Sequence, residues 1–237
     1  MTAIDTGNRS QGGKGEKGKR GNGKTQARES KPFSPFPISP FCAELIPQPR
    51  ENNGHAKPSS VYQIFDRIAE RVPAGSNKVI FTPWLYGERT PVENRTVRGG
   101  FFNQSLQTIR AHLVRAVFEG VAYNSRWLLG AVEKFTRGRM ASLRMIGGGA
   151  NSNIWCQIHA DVLGRTIHQV KEPVQANVRG AAFLASVALG YLTFDDIPAR
   201  VQVANTYKPN PAHRSIYDEL FREFVNIYKR NKGSTRV

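Results

Sequence analysis

Met145-Ile-Gly-Gly-Gly-Ala-Asn-Ser-Asn-Ile-Trp-Cys-Gln157 is the stretch of sequence around which this chain is organised. It follows a short apolar run that predicts a strand, and it leads into apolar residues at helical spacing, namely Ile154, Trp155, Ile158, Val162 and Leu163. Three glycines between a strand and a helix add no side-chain bulk, so a flat ligand can approach the main chain. This pattern favours a nucleotide, and the structural alternative is a tight turn that binds nothing.

Charge and cysteine content limit the classes of protein that the chain can belong to. The 237 residues carry a formal net charge of +16, which attracts polyanions without specifying any of them. Cys42 and Cys156 lie far apart, which fits neither a disulfide framework nor a zinc site and suggests a reducing cytoplasm. The longest mostly apolar run, Gly180 to Phe194, is shorter than the roughly 18 to 20 residues of a membrane span, so we expect a soluble protein.

Residues 1–58 differ in composition from the rest of the chain. The segment from Gly7 to Lys24 has almost no apolar residue and is predicted to be disordered. Lys31-Pro-Phe-Ser-Pro-Phe-Pro-Ile-Ser-Pro-Phe41 places prolines between aromatic residues, which favours an extended linker or a docking motif. The lysines between Lys14 and Lys24 allow nucleic-acid binding through a basic tail, but a solvated tail is the favoured interpretation, because no folded module or interleaved aromatic residues accompany them.

The remainder of the chain predicts an α/β fold. A helix that Ser59 or Ser60 can cap is followed by alternating strands and helices, and the last helix opens at Asn210-Pro211. The predicted strands are 78–82, 98–102, 139–147 and 166–170, and the predicted helices after the first are 106–135, 152–163 and 176–190. A site at the end of a strand, beside a helix N-terminus, is where such folds bind nucleotides.

Several polar residues have both a structural and a functional interpretation. Glu88 and Arg89 lie in a turn-rich loop, where they either fold the loop onto itself or contact a ligand. Arg115 and Glu119 are spaced for an ion pair within a helix, which satisfies a partly buried carboxylate. His112 is predicted to be a structural histidine of the same helix rather than a catalytic one.

Six motifs in order resemble those of the FGGY carbohydrate kinases, and xylulokinase-like members in particular. They are Gly87-Glu-Arg-Thr-Pro91, Arg98-Gly-Gly-Phe-Phe102, Arg110-Ala-His-Leu-Val-Arg-Ala-Val-Phe-Glu-Gly-Val-Ala-Tyr123, Gly147-Gly-Gly-Ala-Asn-Ser-Asn-Ile-Trp-Cys-Gln157, Ala160-Asp-Val-Leu-Gly164 and Gly180-Ala-Ala182. The resemblance covers roughly residues 60 to 200. One departure is Asn103-Gln104, where the family usually has Gly-Leu, and it is expected to alter no more than a local turn.

The resemblance implies the C-terminal domain of a kinase in which two actin-like, ribonuclease-H-like domains close around a sugar and ATP with Mg²⁺. Residues 59–200 would form this nucleotide-side domain, and residues 201–237 a C-terminal helix and basic tail. By motif alignment, Gly149 and Asn153 would contact the adenosine portion of ATP, and Gly147 and Gly148 would shape the turn. A sugar or polyol would be the second substrate.

The same resemblance implies that the catalytic aspartate of the family lies before residue 60, and residues 1–58 contain no matching segment. We therefore assign no catalytic residue, expect the chain alone to be inactive or nearly so, and expect Asp161 to make a structural hydrogen bond. Two alternatives are an adenine-nucleotide-binding module or half-kinase partner without its own catalysis, and a nucleic-acid-binding protein. The face that a first domain would cover is expected to promote self-association.

Overall fold

The computed structural model describes residues 61–233, which form an α/β fold. Their helices are α1 (Val61–Glu70), α2 (Arg110–Thr136), α3 (Asn153–Leu163), α4 (Ala176–Ala188), α5 (Ile197–Arg200) and α6 (Arg214–Asn231). Their strands are β1 (Ile80–Thr82), β2 (Gly100–Phe102), β3 (Ser142–Met145), β4 (Thr166–Val170) and β5 (Val203–Tyr207). The predicted tail of residues 1–58, with its lysine cluster, its proline-rich segment and Cys42, lies outside the described residues.

The strands form two small sheets. In the first, β1 and β2 are antiparallel, with Ile80 opposite Phe102. The second has the order β3-β4-β5, in which β3 runs parallel to β4 and β5 runs antiparallel to it. Strands β1 to β4 were predicted from the sequence, whereas β5 was not. Four of the five β5 residues are exposed, so its sequence does not alternate between apolar and polar residues as a half-buried strand would. Its extended conformation depends on pairing with β4.

One hydrophobic core joins β1, α2, α3 and α6. Its largest buried side chains include Ile80, Trp84, Tyr123, Ile158, Tyr217 and Phe224. Helix α6 contributes Leu220, Phe224 and Ile227, which are three of the four residues predicted for its apolar face, while the fourth, Ile216, is partly buried against the core. The predicted segments 59–200 and 201–237 therefore share the same core.

Gly120 allows β1 to pack directly on α2. A Cβ atom at Gly120 would lie 2.2 Å from the carbonyl oxygen of Phe81, which is closer than any side chain tolerates. The approach explains why a glycine stands in the middle of a long helix, where it costs roughly 1 kcal/mol relative to alanine.

A buried carboxylate links three parts of the fold. Glu119, on α2, is fully buried, and its Oε1 accepts hydrogen bonds from Arg115 Nε (2.7 Å), from the Tyr217 hydroxyl (2.9 Å) and from the backbone amide of Gly75 (3.0 Å). Its Oε2 accepts a hydrogen bond from Ser76 Oγ at 2.7 Å. The predicted Arg115–Glu119 ion pair is confirmed, and its charge is shared with the turn after α1 and with α6.

Arg115 extends this network to the end of α1. Its Nη1 donates to the carbonyl oxygens of Ala69 and Val72, both at 2.8 Å, at the C-terminal end of α1 and just beyond it. Burial, and next the negative charge of Glu119, raises the pKa of Tyr217 well above its usual value. The Tyr217 hydroxyl therefore stays protonated and donates to the carboxylate.

The structural interpretations of Glu88 and His112 are confirmed. Glu88 Oε1 accepts hydrogen bonds from the backbone amides of Arg89 (2.8 Å) and Thr90 (2.9 Å), so this side chain folds its own loop. His112 Nδ1 accepts a hydrogen bond from the amide of Ile109 at 3.2 Å, at the start of α2. Both side chains stabilise local backbone.

Asn103 occupies a turn after β2. Asn103 has φ = 61°, in the left-handed region that glycine and asparagine adopt most readily. Its Nδ2 also donates to the carbonyl oxygen of Lys78 at 3.1 Å. The asparagine therefore accommodates the left-handed conformation and ties the turn to Lys78, just before β1.

Helix α4 packs differently from the expectation. Its small residues were expected to allow a close neighbour, yet none of its residues is buried and a Cβ at Gly180 would have no atom within 4 Å. Val178 and Leu184 are exposed on α4, as are Leu189 and Tyr191 just beyond it.

Within residues 61–233, no helix is both long and apolar enough to cross a membrane.

Replacement of Glu119 by alanine should destabilise the fold strongly. Loss of the carboxylate leaves Arg115 buried without its charge partner, which costs about 3–5 kcal/mol in the free energy of unfolding. Urea denaturation followed by tryptophan fluorescence measures the change. Glu219→Ala is the matched control, because it removes the exposed Lys78–Glu219 ion pair (3.0 Å) between the same regions and should cost about 1 kcal/mol or less. Equal effects of the two substitutions would contradict this account.

Candidate nucleotide-binding site

The glycine turn begins where β3 ends. Gly147 has φ = 83° and ψ = −175°, a conformation that residues with a side chain rarely adopt. Its amide donates to the carbonyl oxygen of Pro173 at 2.9 Å, which ties the turn to the segment after β4. Residues Gly148–Asn151 then form one short 3₁₀ turn, and Ser152 caps α3 by accepting a hydrogen bond from the amide of Trp155 at 3.1 Å.

Gly148 and Gly149 have different surroundings. A Cβ at Gly148 would have no atom within 4 Å, whereas a Cβ at Gly149 would lie 2.8 Å from the indole ring of Trp155. That ring is fixed by a hydrogen bond from its Nε1 to the carbonyl oxygen of Phe118 at 3.0 Å, and it stacks on the Phe118 ring at 5.0 Å. Gly149 is therefore required by close packing within the protein, and Gly148 borders open space.

A cleft of about 790 Å³ lies between the glycine turn and α1. It is lined by four residues of α1, by Phe118 and by residues of the turn and α3: Tyr62, Gln63, Phe65, Asp66, Phe118, Gly148, Gly149, Asn151, Ser152 and Trp155. The side of α1 contributes aromatic side chains that remain exposed, 79% for Tyr62 and 39% for Phe65. The cleft is large enough for a nucleoside and presents aromatic rings from two sides.

The cleft includes two of the four residues predicted to bind nucleotide. Gly148 and Gly149 line it, while Gly147 and Asn153 lie at the two ends of the turn, outside the lining. The α1 residues were not predicted from the sequence, because Phe65 follows the apolar spacing of an ordinary amphipathic helix and Tyr62 belongs to no motif. Their exposure became visible only in the structure.

Asn153 is oriented by the second sheet. Its Oδ1 accepts hydrogen bonds from the Tyr207 hydroxyl (2.9 Å) and from Gln169 Nε2 (3.2 Å). Gln169, buried on β4, also donates to the carbonyl oxygen of Ala150 (2.6 Å) and accepts from Asn205 Nδ2 (2.7 Å). With its oxygen engaged, the amide of Asn153 is held with its Nδ2 available as a donor.

Other titratable groups near the turn are structural. Burial, and next the negative charge of Asp66, raises the pKa of the Cys156 thiol to about 11, so this cysteine stays a neutral thiol. Burial lowers the pKa of His159, which contacts the carbonyl oxygen of Trp155 through Nδ1 at 2.9 Å. Neither group lines the cleft.

Asp161 makes the hydrogen bonds between elements that were expected of it. Its Oδ1 accepts from the backbone amide of Asn210 at 2.8 Å and from Gln157 Nε2 at 2.7 Å, and its Oδ2 lies 2.8 Å from Nδ1 of His213. The carboxyl is buried on α3, and its partners Asn210 and His213 lie on the segment that leads into α6. It is therefore a structural residue rather than a substitute catalytic base.

The described residues have an α/β fold of the actin-like ATPase type, by similarity to solved structures of sugar kinases. A model of the C-terminal domain of the FGGY family of carbohydrate kinases matches residues 43–189. The chain belongs to this family. The match begins before the described residues and ends with α4.

Curated relatives agree with this family. The chain is 34% identical to a xylulose kinase of Staphylococcus epidermidis over 172 residues, which are 71% of this chain and 34% of that protein. It is 32% identical to a gluconokinase of Bacillus subtilis, over 70% of this chain and 32% of that protein. The chain thus spans about a third of the length of these relatives.

Solved structures of the family are similar in fold. The gluconate kinase from Lactobacillus acidophilus matches with a TM-score of 0.66 and 30% identity, over 73% of this chain and 35% of that one. The ligand-bound xylulose kinase from the same organism matches with a TM-score of 0.65 and 29% identity, with the same coverage. The similarity again covers about a third of each structure.

Gly149→Ala and Gly148→Ala form a matched pair of variants for the turn. The methyl group at position 149 overlaps the Trp155 ring and should lower the free energy of unfolding by about 1–3 kcal/mol, with a change in near-ultraviolet circular dichroism. The methyl group at position 148 enters open space and should be close to neutral. Thermal unfolding of both variants measures the difference, and equal midpoints would show that the indole does not pack on the turn.

Proposed function

We propose that this chain forms the nucleotide-binding side of a xylulokinase-like carbohydrate kinase, which phosphorylates a sugar or polyol hydroxyl with ATP in the cytoplasm. The observation that carries the proposal is the aromatic cleft directly beside the glycine turn. In this proposal residues 59–200 supply the nucleotide-binding domain. Residues 201–237 add β5 and α6, which support the domain from the second sheet and from the core.

The adenosine portion of ATP suits the chemistry of the cleft. A purine has two apolar faces that stack on aromatic rings, and Tyr62, Phe65 and Phe118 present such rings. Gly148 offers backbone with no side chain in front of it, so that a flat group can lie against the turn. Asn153 Nδ2, held in place by Gln169 and Tyr207, would donate to an acceptor of the nucleotide at the edge of the cleft.

Mg²⁺ would arrive with the phosphates of ATP. Among the described residues, no group of three or more His, Cys, Asp and Glu side chains is placed to hold a metal ion. Mg²⁺ in kinases is commonly bound by substrate phosphates and one or two carboxylates, so in this proposal the phosphates of ATP would be its main ligands. When bound, Mg²⁺ neutralises charge on the transferred phosphoryl group.

Phosphoryl transfer requires more than the nucleotide site. The γ-phosphate and the acceptor hydroxyl must be held in line, and a base must accept the proton of the hydroxyl. The cleft described here has residues for the nucleoside end only. We therefore propose that the chain alone binds adenine nucleotide without turning over, and that catalysis needs a second set of residues that contacts the sugar.

A second candidate function is a nucleotide-binding half that pairs with another polypeptide. The exposed apolar side chains on and after α4, including Leu184, Leu189 and Tyr191, favour it, because monomeric proteins seldom leave such groups uncovered together. The same surface would promote self-association of the isolated chain. Sedimentation at increasing protein concentration distinguishes a monomer from an associating chain.

Calorimetric titration with ATP tests the nucleotide site. Asn153→Ala removes the proposed donor and should weaken binding by about tenfold. Tyr207→Phe keeps the amide but removes one of the two groups that orient it, and should weaken binding by a smaller factor. Asn226→Ala, on the exposed side of α6, serves as the control. Absence of binding heat in the unmodified chain would refute nucleotide binding.

A coupled assay of sugar-dependent ADP release tests whether the chain acts alone. With xylulose, gluconate or glycerol as acceptor, we expect no release above the rate without acceptor, because the cleft positions only the nucleoside end of ATP. A full-length xylulose kinase assayed in parallel shows that the assay detects transfer. Robust acceptor-dependent release by the purified chain would overturn the proposed division of the site.

A further inference from the structure

The cleft is nearly uncharged in a strongly basic protein. The chain has a net charge of +16, yet the described residues that line the cleft include no lysine, arginine or histidine. Asp66 is the single charged residue among them. A site that took phosphate groups would be expected to place cations or several amide donors around them. The lining therefore suits the neutral part of a nucleotide.

Asp66 is held in a fixed position at the start of α3. Its Oδ1 accepts a hydrogen bond from Ser152 Oγ at 2.7 Å, and the same Oγ accepts from the Trp155 amide. The N-terminal end of this 11-residue helix stabilises the negative charge of the carboxylate. On α1, Asp66 follows Tyr62 by one turn, so the carboxylate and the aromatic ring share one side of the helix.

The second carboxylate oxygen of Asp66 has no hydrogen-bond partner among the described residues. An ionised carboxylate only accepts hydrogen bonds, and each oxygen can accept more than one. Asp66 is half-buried in the wall of the cleft, so a ligand seated there would displace the water around Oδ2. A ligand that donates to Oδ2 replaces what the carboxylate loses, and one that cannot donate leaves it unsatisfied.

We propose that Asp66 determines specificity in this cleft, because its Oδ2 accepts a hydrogen bond from a neutral donor of the nucleoside while its charge keeps phosphates out. The inference rests on the proposed nucleotide binding and adds to it the residue that reads the nucleoside. The donor is either the amino group of the base or the 2′-hydroxyl of the ribose. Since phosphates are repelled from this wall, the nucleoside enters the cleft first and the phosphates remain outside it.

The test combines one substitution with three nucleotides in calorimetric titrations. Asp66→Asn keeps an oxygen that can accept from Ser152 but replaces the free acceptor with a donor and removes the charge. It should weaken ATP binding by about tenfold or more, with a small decrease in the midpoint of thermal unfolding from the lost charge at the N-terminus of α3. Glu70→Gln, at the exposed end of the same helix and outside the cleft, is the control and should bind ATP like the unmodified chain.

The two remaining nucleotides identify the donor without any mutation. 2′-Deoxy-ATP lacks one ribose hydroxyl, and purine riboside triphosphate lacks the amino group of the base. The nucleotide without the relevant donor should bind the unmodified chain about tenfold more weakly than ATP, and should lose little further affinity in Asp66→Asn, because the interaction is already absent. This arm remains valid even where the substitution disturbs folding.

Each other outcome has a definite meaning. If ATP binds the unmodified chain and Asp66→Asn with equal affinity, Asp66 only holds Ser152, and the inference is wrong while nucleotide binding stands. If ATP and both analogues bind the unmodified chain equally, no donor is recognised and the inference is again overturned. If no nucleotide binds the unmodified chain, the proposed function and the inference both fail.

Discussion

The fully buried carboxylate of Glu119 is the constraint on which the rest of the structure depends. A charge removed from water is tolerated only when its partners satisfy it, and here Arg115, Tyr217, Ser76 and the Gly75 amide all donate to it. These partners come from α2, from α6 and from the turn after α1. The carboxylate therefore fixes the relative positions of segments that are far apart in the sequence.

This constraint reaches the cleft through α1. Arg115 donates to the carbonyl oxygens of Ala69 and Val72, so the C-terminal end of α1 is tied to the same buried cluster. Tyr62, Phe65 and Asp66 lie on that helix and form one wall of the cleft. A buried ion pair with no ligand contact thus places the aromatic wall opposite the glycine turn.

The second sheet orients Asn153 at the end of the glycine turn. Gln169 on β4 and Tyr207 on β5 both donate to Asn153, and Gln169 also donates to the carbonyl oxygen of Ala150 within the turn. Because β5 comes from the segment after residue 200, the C-terminal part of the chain orients a residue of the predicted site. The family match ends at residue 189, so the contribution of Tyr207 comes from sequence that the match does not cover.

The amino-acid sequence by itself determined the order of helices and strands up to α4, the helix α6, the Arg115–Glu119 pair and the family, because these depend on periodicity and on short contiguous motifs. It missed β5, which has no apolar alternation, and it did not indicate that the aromatic residues of α1 line a cleft. Only the tertiary structure showed Tyr62 and Phe65 exposed beside Gly148, Asp66 bonded to Ser152, and Asn153 held by Gln169 and Tyr207. Contacts between residues 16 to 86 positions apart are set by how elements pack, and no local pattern encodes them.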